Sequence, residues 1–196
     1  HADADAEGER KHDAGNGAAM RILPVALATL GQGREVLATA CRAQGHVTHH
    51  NILSDAACIA LAGMVQDFVR GKSVEDVERA NAAPLVAVHP VFDYTVKPRD
   101  NPSGFVVETI QAVLQALFAT ETFEDCVVDV VNRGGDADTT GAIAGMLAGA
   151  RYGLDAIPVR WLRRLDRGVA ESCRLQAEAL LTLSAKGPAP ERIRGD

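Results

Sequence analysis

Apolar residues recur every three or four positions along most of the chain, which predicts a domain built from α-helices. The clearest amphipathic stripe covers residues 54–70, and a second covers residues 105–118. Two further apolar runs, residues 18–30 and 34–44, each end at a glycine, the residue at which helices most often stop. These four segments are predicted as helices.

Capping patterns mark the starts of other helices. Ser73 opens a capping box and a helix that reaches about residue 83, and Thr122 with Asp125 caps the next segment. The β-branched residues of 126–131 favour a strand, whereas their length and flanks also allow a helix, so both assignments stay open. A helical turn over 158–166, anchored by Trp161, and a final helix over 169–183 are also predicted.

Two segments have unusual composition. Residues 84–102 hold four prolines and two aromatic residues without a sustained period, which predicts an irregular loop able to line a site. Small residues follow Asp138 at helical spacing and predict a helix face packed tightly against a neighbour: Gly141, Ala142, Gly145, Ala148 and Gly149.

Size and charge limit the possible classes of protein. A chain of 196 residues with 47% apolar content is most simply one domain, and a net charge of −6 argues against nucleic acid as a partner. No apolar stretch reaches the roughly 18 uncharged residues that a membrane span needs, residues 139–150 being the longest candidate. The first residues do not resemble a secretory signal. We therefore expect a cytoplasmic protein without a transmembrane segment.

The chain is expected to have polar ends. Residues 1–15 are predicted to be a polar tail, residues 16–184 the domain, and residues 185–196 a disordered tail. The chain lacks an initial Met and is expected to be N-terminally truncated. Its four cysteines form no CxxC pair, and we expect reduced, mostly buried thiols.

The strongest chemical pattern is the run from Gly134 to Gly141, which combines carboxylates and hydroxyls with glycines at a predicted helix start. Carboxylates two positions apart, as at Asp136 and Asp138, followed by the hydroxyl of Thr139, suit a hard cation such as Mg²⁺ or Mn²⁺. The alternative is a helix N-cap rich in Asp.

Residues 134–143 (GGDADTTGAI) also resemble the C-terminal metal motif of the ADP-ribosylglycohydrolase family. Residues 16–24 (NGAAMRILP) resemble its substrate loop, 48–51 (THHN) its Thr-His motif, and 103–109 (SGFVVET) its Ser-Gly-aromatic helix start. Residues 152–158 (YGLDAIP) resemble its closing segment. The resemblance covers about residues 13–167.

The resemblance implies an all-α, compact orthogonal helical bundle around two Mg²⁺ or Mn²⁺ ions. Asp136, Asp138 and Thr139 would be the metal ligands in this chain. Family members supply the other ligands from an N-terminal Glu and a Thr-Asp-Asp motif, so this chain would hold only half of the ligands.

The implied reaction hydrolyses the N-glycosidic bond between ADP-ribose and an arginine of a protein. Asp138 and Asp13 would be catalytic, with Asp13 as the candidate proton shuttle; alternatively, Asp13 belongs to a solvated tail. The implied substrate-binding residues are Asn16, Gly17, Met20, His49, His89, Ser103, Gly104, Phe105 and Gly135. A turn at Asn16 and Gly17 and a structural His49 are the alternatives. Free N–H groups at the helix start near Ser103 would receive the pyrophosphate.

The expected partners are ADP-ribose and an ADP-ribosylated protein. Residues 16–24 and 126–166 look most like the bacterial branch that acts on the nitrogenase iron protein. A catalytically inactive ADP-ribose-binding remnant is the main alternative. A family hydrolase for ADP-ribosyl-serine or a small metabolite is a further one.

Overall fold

The computed structural model describes residues 14–185, and every regular element in that range is helical. The numbered α-helices are, in order, α1 (Gly17–Met20), α2 (Leu23–Ala28), α3 (Arg34–Gly45), α4 (Ile52–Val69), α5 (Val74–Val77), α6 (Ala83–Val88), α7 (Val106–Ala119), α8 (Phe123–Asn132), α9 (Ala137–Tyr152), α10 (Val159–Leu162) and α11 (Arg167–Ala185). The prediction of an all-α domain is confirmed. The ambiguous residues 126–131 lie in α8, which begins where the Thr122 side chain accepts a hydrogen bond from the Asp125 backbone N–H.

The central element is α4. A helix was predicted here and is present, but the prediction that only one face of it is apolar and buried is wrong. Every residue from 60 to 68 is buried, because α2, α3, α7 and α9 pack around this helix. By length and composition α4 is also long and apolar enough to cross a membrane, so it replaces residues 139–150 as the longest candidate. Within the protein, 67% of it is buried, as the core helix of a helical domain would be.

The apolar run at residues 18–30 forms two short helices rather than one. Pro24 has no N–H to donate to the carbonyl of Met20, so α1 ends at Met20 and the chain restarts as α2. The break leaves Arg21 between the two helices, and its side chain donates hydrogen bonds to Gly17 in α1, to Gln44 in α3 and to Thr48.

The prediction of an irregular loop over residues 84–102 is wrong in its first half. A π-helical turn (Glu78–Ala82) joins α5 to α6, and a 3-10 turn (Pro90–Phe92) follows. Pro84 lies in the first turn of α6, where the hydrogen bond that it cannot donate is accommodated by the wider π-helical turn before it. The loop itself begins at Asp93.

The predicted tight face of α9 is only partly correct. A Cβ on Gly141 would lie 3.0 Å from Val131 Cγ2, which is a close approach, but a Cβ on Gly145 would meet nothing within 4 Å. Ala142 is exposed. Ala148 is buried as predicted, and the other buried residues of α9 are Thr140, Ile143, Ala144 and Leu147.

Both ends of the described range are part of the folded structure. Ala14 is fully buried and Gly15 pairs with Phe105 in an isolated antiparallel bridge, so both belong to the folded domain rather than to a tail. At the other end α11 extends to Ala185 and packs against α2. All four cysteines are free, and three of them are buried, as expected.

Candidate active site

Four segments meet at one end of the domain and form what we call the loop cluster: residues 14–17, 48–49, 101–105 and 134–139. Backbone hydrogen bonds join its first and third segments, with Asn16 N donating to Gly104 O at 2.9 Å and Val106 N to Ala14 O at 2.8 Å. The third and fourth segments are joined in the same way, since Asp136 N donates to Pro102 O at 2.7 Å. Most of the site residues implied by the resemblance therefore lie together.

Glycines allow two of these segments to approach closely. Gly135 has a φ of +62°, and a Cβ there would lie 2.2 Å from Pro102 O. Gly134 also has a positive φ, and a Cβ there would lie 2.7 Å from Asn101 Oδ1. A larger residue at position 135 would have to move the backbone of residues 101–102, and one at position 134 would have to displace the Asn101 side chain and adopt a strained positive φ.

Asn16 and Asp136 form the central contact of the loop cluster. Asn16 Nδ2 donates to Asp136 Oδ2 at 2.6 Å and to Thr109 Oγ1 at 2.9 Å, and Asn16 is only 7% exposed. This hydrogen bond is the main reason why the pKa of Asp136 lies below its usual value; partial burial opposes it, and contacts with Thr139 and Asp138 lower the pKa further. Asp136 is therefore ionised at neutral pH and fixed in orientation.

The predicted metal ligands lie at the surface of the loop cluster. Asp136 and Thr139 are half-buried at the start of α9, and Asp138, which lies between them in the first turn of the helix, is exposed. The donors are carboxylate and hydroxyl oxygens, the type that a hard divalent cation prefers. Among residues 14–185, no three His, Cys, Asp or Glu side chains converge as a metal site. The oxygen donors are therefore of the right chemical type for a divalent cation, but the described part of the chain does not supply a complete set of ligands.

The start of α7 lies beside Asp136, but its predicted free N–H groups are partly occupied. Ser103 N donates to Glu108 Oε2 at 3.0 Å, Phe105 N donates to Ser103 Oγ at 3.3 Å, and Val106 N is used by Ala14. These three N–H groups thus have acceptors within the protein, and the contact of this helix start with a pyrophosphate stays a prediction. Gly104 is exposed, and a Cβ there would lie 3.7 Å from Asp136 Oδ2.

His49 packs against the two glycines that flank Asn16. A Cβ on Gly15 would lie 2.9 Å from His49 Nε2, and a Cβ on Gly17 would lie 2.9 Å from His49 Cε1. The ring therefore packs edge-on against both glycines. Its Nδ1 atom lies 2.7 Å from Thr48 Oγ1.

Three predicted residues lie elsewhere or outside the described range. Met20 is on the surface of α1 and is 51% exposed. His89 follows α6 and contacts Phe92 edge-on, in a groove of about 510 Å³ that it shares with His46, His50 and Asp55. Asp13 lies outside the described residues. Their predicted roles in substrate binding and catalysis stay predictions.

Several residues that organise the loop cluster were not singled out as site residues from the sequence, although Thr109 and Arg21 lie within stretches that resemble the family. Thr109 lies 93 positions from Asn16, and only the folded chain brings their side chains together. Asn101 adopts a φ of +47° and its N–H donates to Arg133 O at 2.8 Å, which fixes the loop against the glycines. Arg21 also belongs to this group.

The chain resembles known proteins in both sequence and structure. The family model described as ADP-ribosylglycohydrolase matches residues 1–189. The chain is 48% identical over 174 residues to the ADP-ribosyl-[dinitrogen reductase] glycohydrolase of Rhodospirillum rubrum, covering 88% of this chain and 58% of that protein. It is 32% identical over 157 residues to the ADP-ribosylarginine hydrolase Tri1 of Serratia proteamaculans, covering 78% of this chain and 43% of that protein.

A solved structure agrees with these sequences. A chain from an ADP-ribosylglycohydrolase-related protein complex superposes with a TM-score of 0.76 at 34% identity, and the match covers 89% of this chain and 62% of that one. The chain thus spans between 43% and 62% of the length of these three relatives.

Proposed function

Because this chain belongs to the ADP-ribosylglycohydrolase family, we propose that it acts in the metal-dependent hydrolysis of the N-glycosidic bond between ADP-ribose and an arginine side chain of a protein. The proposed protein substrate is dinitrogenase reductase, the nitrogenase iron protein. The names of two relatives, a dinitrogen reductase glycohydrolase and an ADP-ribosylarginine hydrolase, support this choice. Hydrolysis would reverse mono-ADP-ribosylation of that protein.

The Asn16–Asp136 hydrogen bond is the observation that carries the proposal. It joins the segment that resembles the family's substrate loop to the segment that resembles its metal motif, at 2.6 Å. An ionised carboxylate fixed beside exposed backbone at Gly104 and Gly135 offers an acceptor for ribose hydroxyls. The arrangement therefore suits a polar, hydroxyl-rich ligand.

The family is generally metal-dependent. Asp136, Asp138 and Thr139 would contribute to holding two Mg²⁺ or Mn²⁺ ions, whose chemistry, when bound, is to polarise water and to orient ribose hydroxyls. Asp138 supplies an exposed carboxylate beside Asp136. Asn16 holds the first carboxylate in place, so that only small adjustments of the site are needed when a ligand binds.

The test is release of ADP-ribose from ADP-ribosylated dinitrogenase reductase, with Mn²⁺ or Mg²⁺ present, by a protein that contains these 196 residues together with the ligands that family members supply from their N-terminal segment. We expect hydrolysis by the unaltered protein and its loss in Asp138→Asn, with the unfolding midpoint unchanged because Asp138 is exposed. Asp155→Asn is the matched control, since Asp155 is also exposed but lies in a 3-10 turn outside the loop cluster.

A substrate series separates the alternatives. ADP-ribosyl-arginine protein should be cleaved in preference to ADP-ribosyl-serine protein. Binding of ADP-ribose without hydrolysis of either substrate would contradict the proposed reaction and favour an ADP-ribose-binding protein. Equal turnover in the Asp138→Asn variant would contradict the role of that carboxylate.

A further inference from the structure

The guanidinium of Arg21 joins three segments around the loop cluster. Its Nε donates to Gln44 Oε1 at 2.9 Å and its Nη1 to Gly17 O at 3.2 Å. Its Nη2 donates to Gln44 O at 3.2 Å and to Thr48 Oγ1 at 2.6 Å. One side chain thus connects the Asn16 segment, the end of α3 and the turn that carries His49.

The contact with Thr48 continues to His49. Thr48 Oγ1 lies 2.7 Å from His49 Nδ1, so the hydroxyl stands between the guanidinium and the imidazole. The opposite edge of the ring, which carries Nε2, faces Gly15 and Gly17. Arg21 and Thr48 therefore act on one nitrogen of His49, while the other nitrogen is directed towards the Asn16 segment.

The direction of the hydrogen bonds follows from the chemistry of the three groups. A guanidinium only donates hydrogen bonds, so the Thr48 oxygen accepts from Arg21. The hydroxyl keeps its single hydrogen for a second partner, and the adjacent positive charge makes that hydrogen a stronger donor. Donation of this hydrogen to Nδ1 of His49 requires a neutral imidazole whose proton resides on Nε2, which is the arrangement that the adjacent guanidinium favours.

We propose that Arg21 is a positioning residue that acts through Thr48 to hold His49 in the tautomer protonated at Nε2, with this N–H directed towards residues 15–17. Gly15 and Gly17 leave room for the ring to sit there, because a Cβ at either position would lie 2.9 Å from its atoms. A benefit of this ring orientation for the binding of ADP-ribose rests on the proposed function. The tautomer itself does not.

The primary test is nuclear magnetic resonance of the ring nitrogens on the ¹⁵N-labelled 196-residue chain without ligand, at a pH where the imidazole is neutral. The His49 signals are assigned by their loss in His49→Gln. We expect the unaltered chain to show the Nε2–H pattern for His49. Thr48→Val should mix the two tautomers, and Thr48→Ser should restore the original pattern.

Two further variants make the test specific. Arg21→Lys keeps the positive charge but loses the planar fork that reaches Gly17, Gln44 and Thr48 together, so we expect partial mixing of the tautomers. Thr39→Val is the matched control, since Thr39 is an exposed threonine on α3 outside the loop cluster. Thr48 is exposed as well, so its substitution should leave the unfolding midpoint unchanged.

Binding of ADP-ribose provides the second readout. Thr48→Val should weaken it about tenfold, because the His49 ring is no longer held in one tautomer and orientation, and Thr48→Ser should restore it. An Nδ1–H pattern in the unaltered chain, or an unchanged Nε2–H pattern in both Thr48→Val and Arg21→Lys, would overturn the inference. The expected tautomer shifts with no binding of ADP-ribose by the unaltered chain would support the role of Arg21 and contradict the proposed function.

Discussion

The side-chain amide of Asn16 lies 2.6 Å from the carboxylate of Asp136, although 120 positions separate them in the sequence. Both hydrogens of this amide are used, one by Asp136 and one by Thr109. Asn16 therefore supports the carboxylate within the protein. A contact between Asn16 and a ligand stays a prediction, and such a contact would use the amide oxygen of Asn16.

Replacing Asn16 by Ala should remove this support. We expect the free energy of unfolding to fall by about 2 kcal/mol, because a hydrogen bond to a charged group is lost in a buried position. Urea unfolding measures this change, and Mn²⁺ binding should weaken in parallel. Thr109→Val removes the neighbouring acceptor but leaves the Asn16–Asp136 contact, so it should preserve Mn²⁺ binding. An equal loss of Mn²⁺ affinity in Asn16→Ala and Thr109→Val would contradict a specific role of the Asn16–Asp136 contact.

Two glycine substitutions should have opposite effects on stability. Gly135→Ala introduces a Cβ 2.2 Å from Pro102 O at a φ of +62°, so we expect strong destabilisation, by about 2 kcal/mol or more. Gly145→Ala adds a methyl group within α9 where no atom lies within 4 Å, and should stabilise the helix by about 0.5–1 kcal/mol. Thermal unfolding distinguishes the two. A rise in the midpoint for Gly135→Ala would show that the approach at Pro102 is looser than described.

Asp67 should make stability sensitive to acid. Burial alone would raise the pKa of this carboxyl, but hydrogen bonds from Lys72 and Asn81 and the charges of Lys72 and Arg34 hold it below its usual value. A lowered pKa in the folded state means that the stabilisation is present above about pH 4, the range of an unfolded Asp, and is lost as the pH falls towards the folded value.

Asp67→Asn tests this directly. At neutral pH we expect the variant to be less stable by about 2 kcal/mol, and the difference from the unaltered chain should shrink below about pH 4. Asp100→Asn, at an exposed position, is the control. A stability difference that stays constant from pH 7 to pH 3 would contradict the lowered pKa.

The four thiols should differ in reactivity. Burial raises the pKa of Cys41 and of Cys58 to about 12, and it also raises that of Cys126. Cys173 is exposed. Titration with a thiol-reactive disulfide at pH 8 should therefore label Cys173 rapidly and the other three only after unfolding. Rapid labelling of Cys58 in the native protein would indicate local opening between α3 and α4.

The helices could be predicted from the sequence where local rules decide. Ser73 and Thr122 cap their helices as predicted, since each accepts a hydrogen bond from the N–H three positions later. The strand or helix choice at residues 126–131 could not be settled locally, because packing against α7 and α9 decides it. The predicted loop at Pro84 was wrong because a proline is acceptable in the first turn of a helix, and here a π-helical turn precedes it.

The candidate site was only partly visible in the sequence. Its motifs identified Asn16, His49, Gly135 and Asp136, which the fold brings together. The contacts that fix them depend on residues distant in sequence, such as Thr109, and on hydrogen bonds without a short-range pattern, such as those of Arg21. The occupied N–H groups near Ser103 could not be foreseen either, because Ala14 supplies one of the acceptors.

The bridge between Gly15 and Phe105 and the contact between Asn16 and Asp136 make the loop cluster a late product of folding. Local helices can form as soon as their own residues are available, but this site needs the beginning of the described chain and the start of α9 at once. A nascent chain that has not yet emerged as far as Asp136 therefore has no ligand site. Gain of ligand binding during refolding would accordingly report the completion of the whole domain, and not the appearance of helical structure.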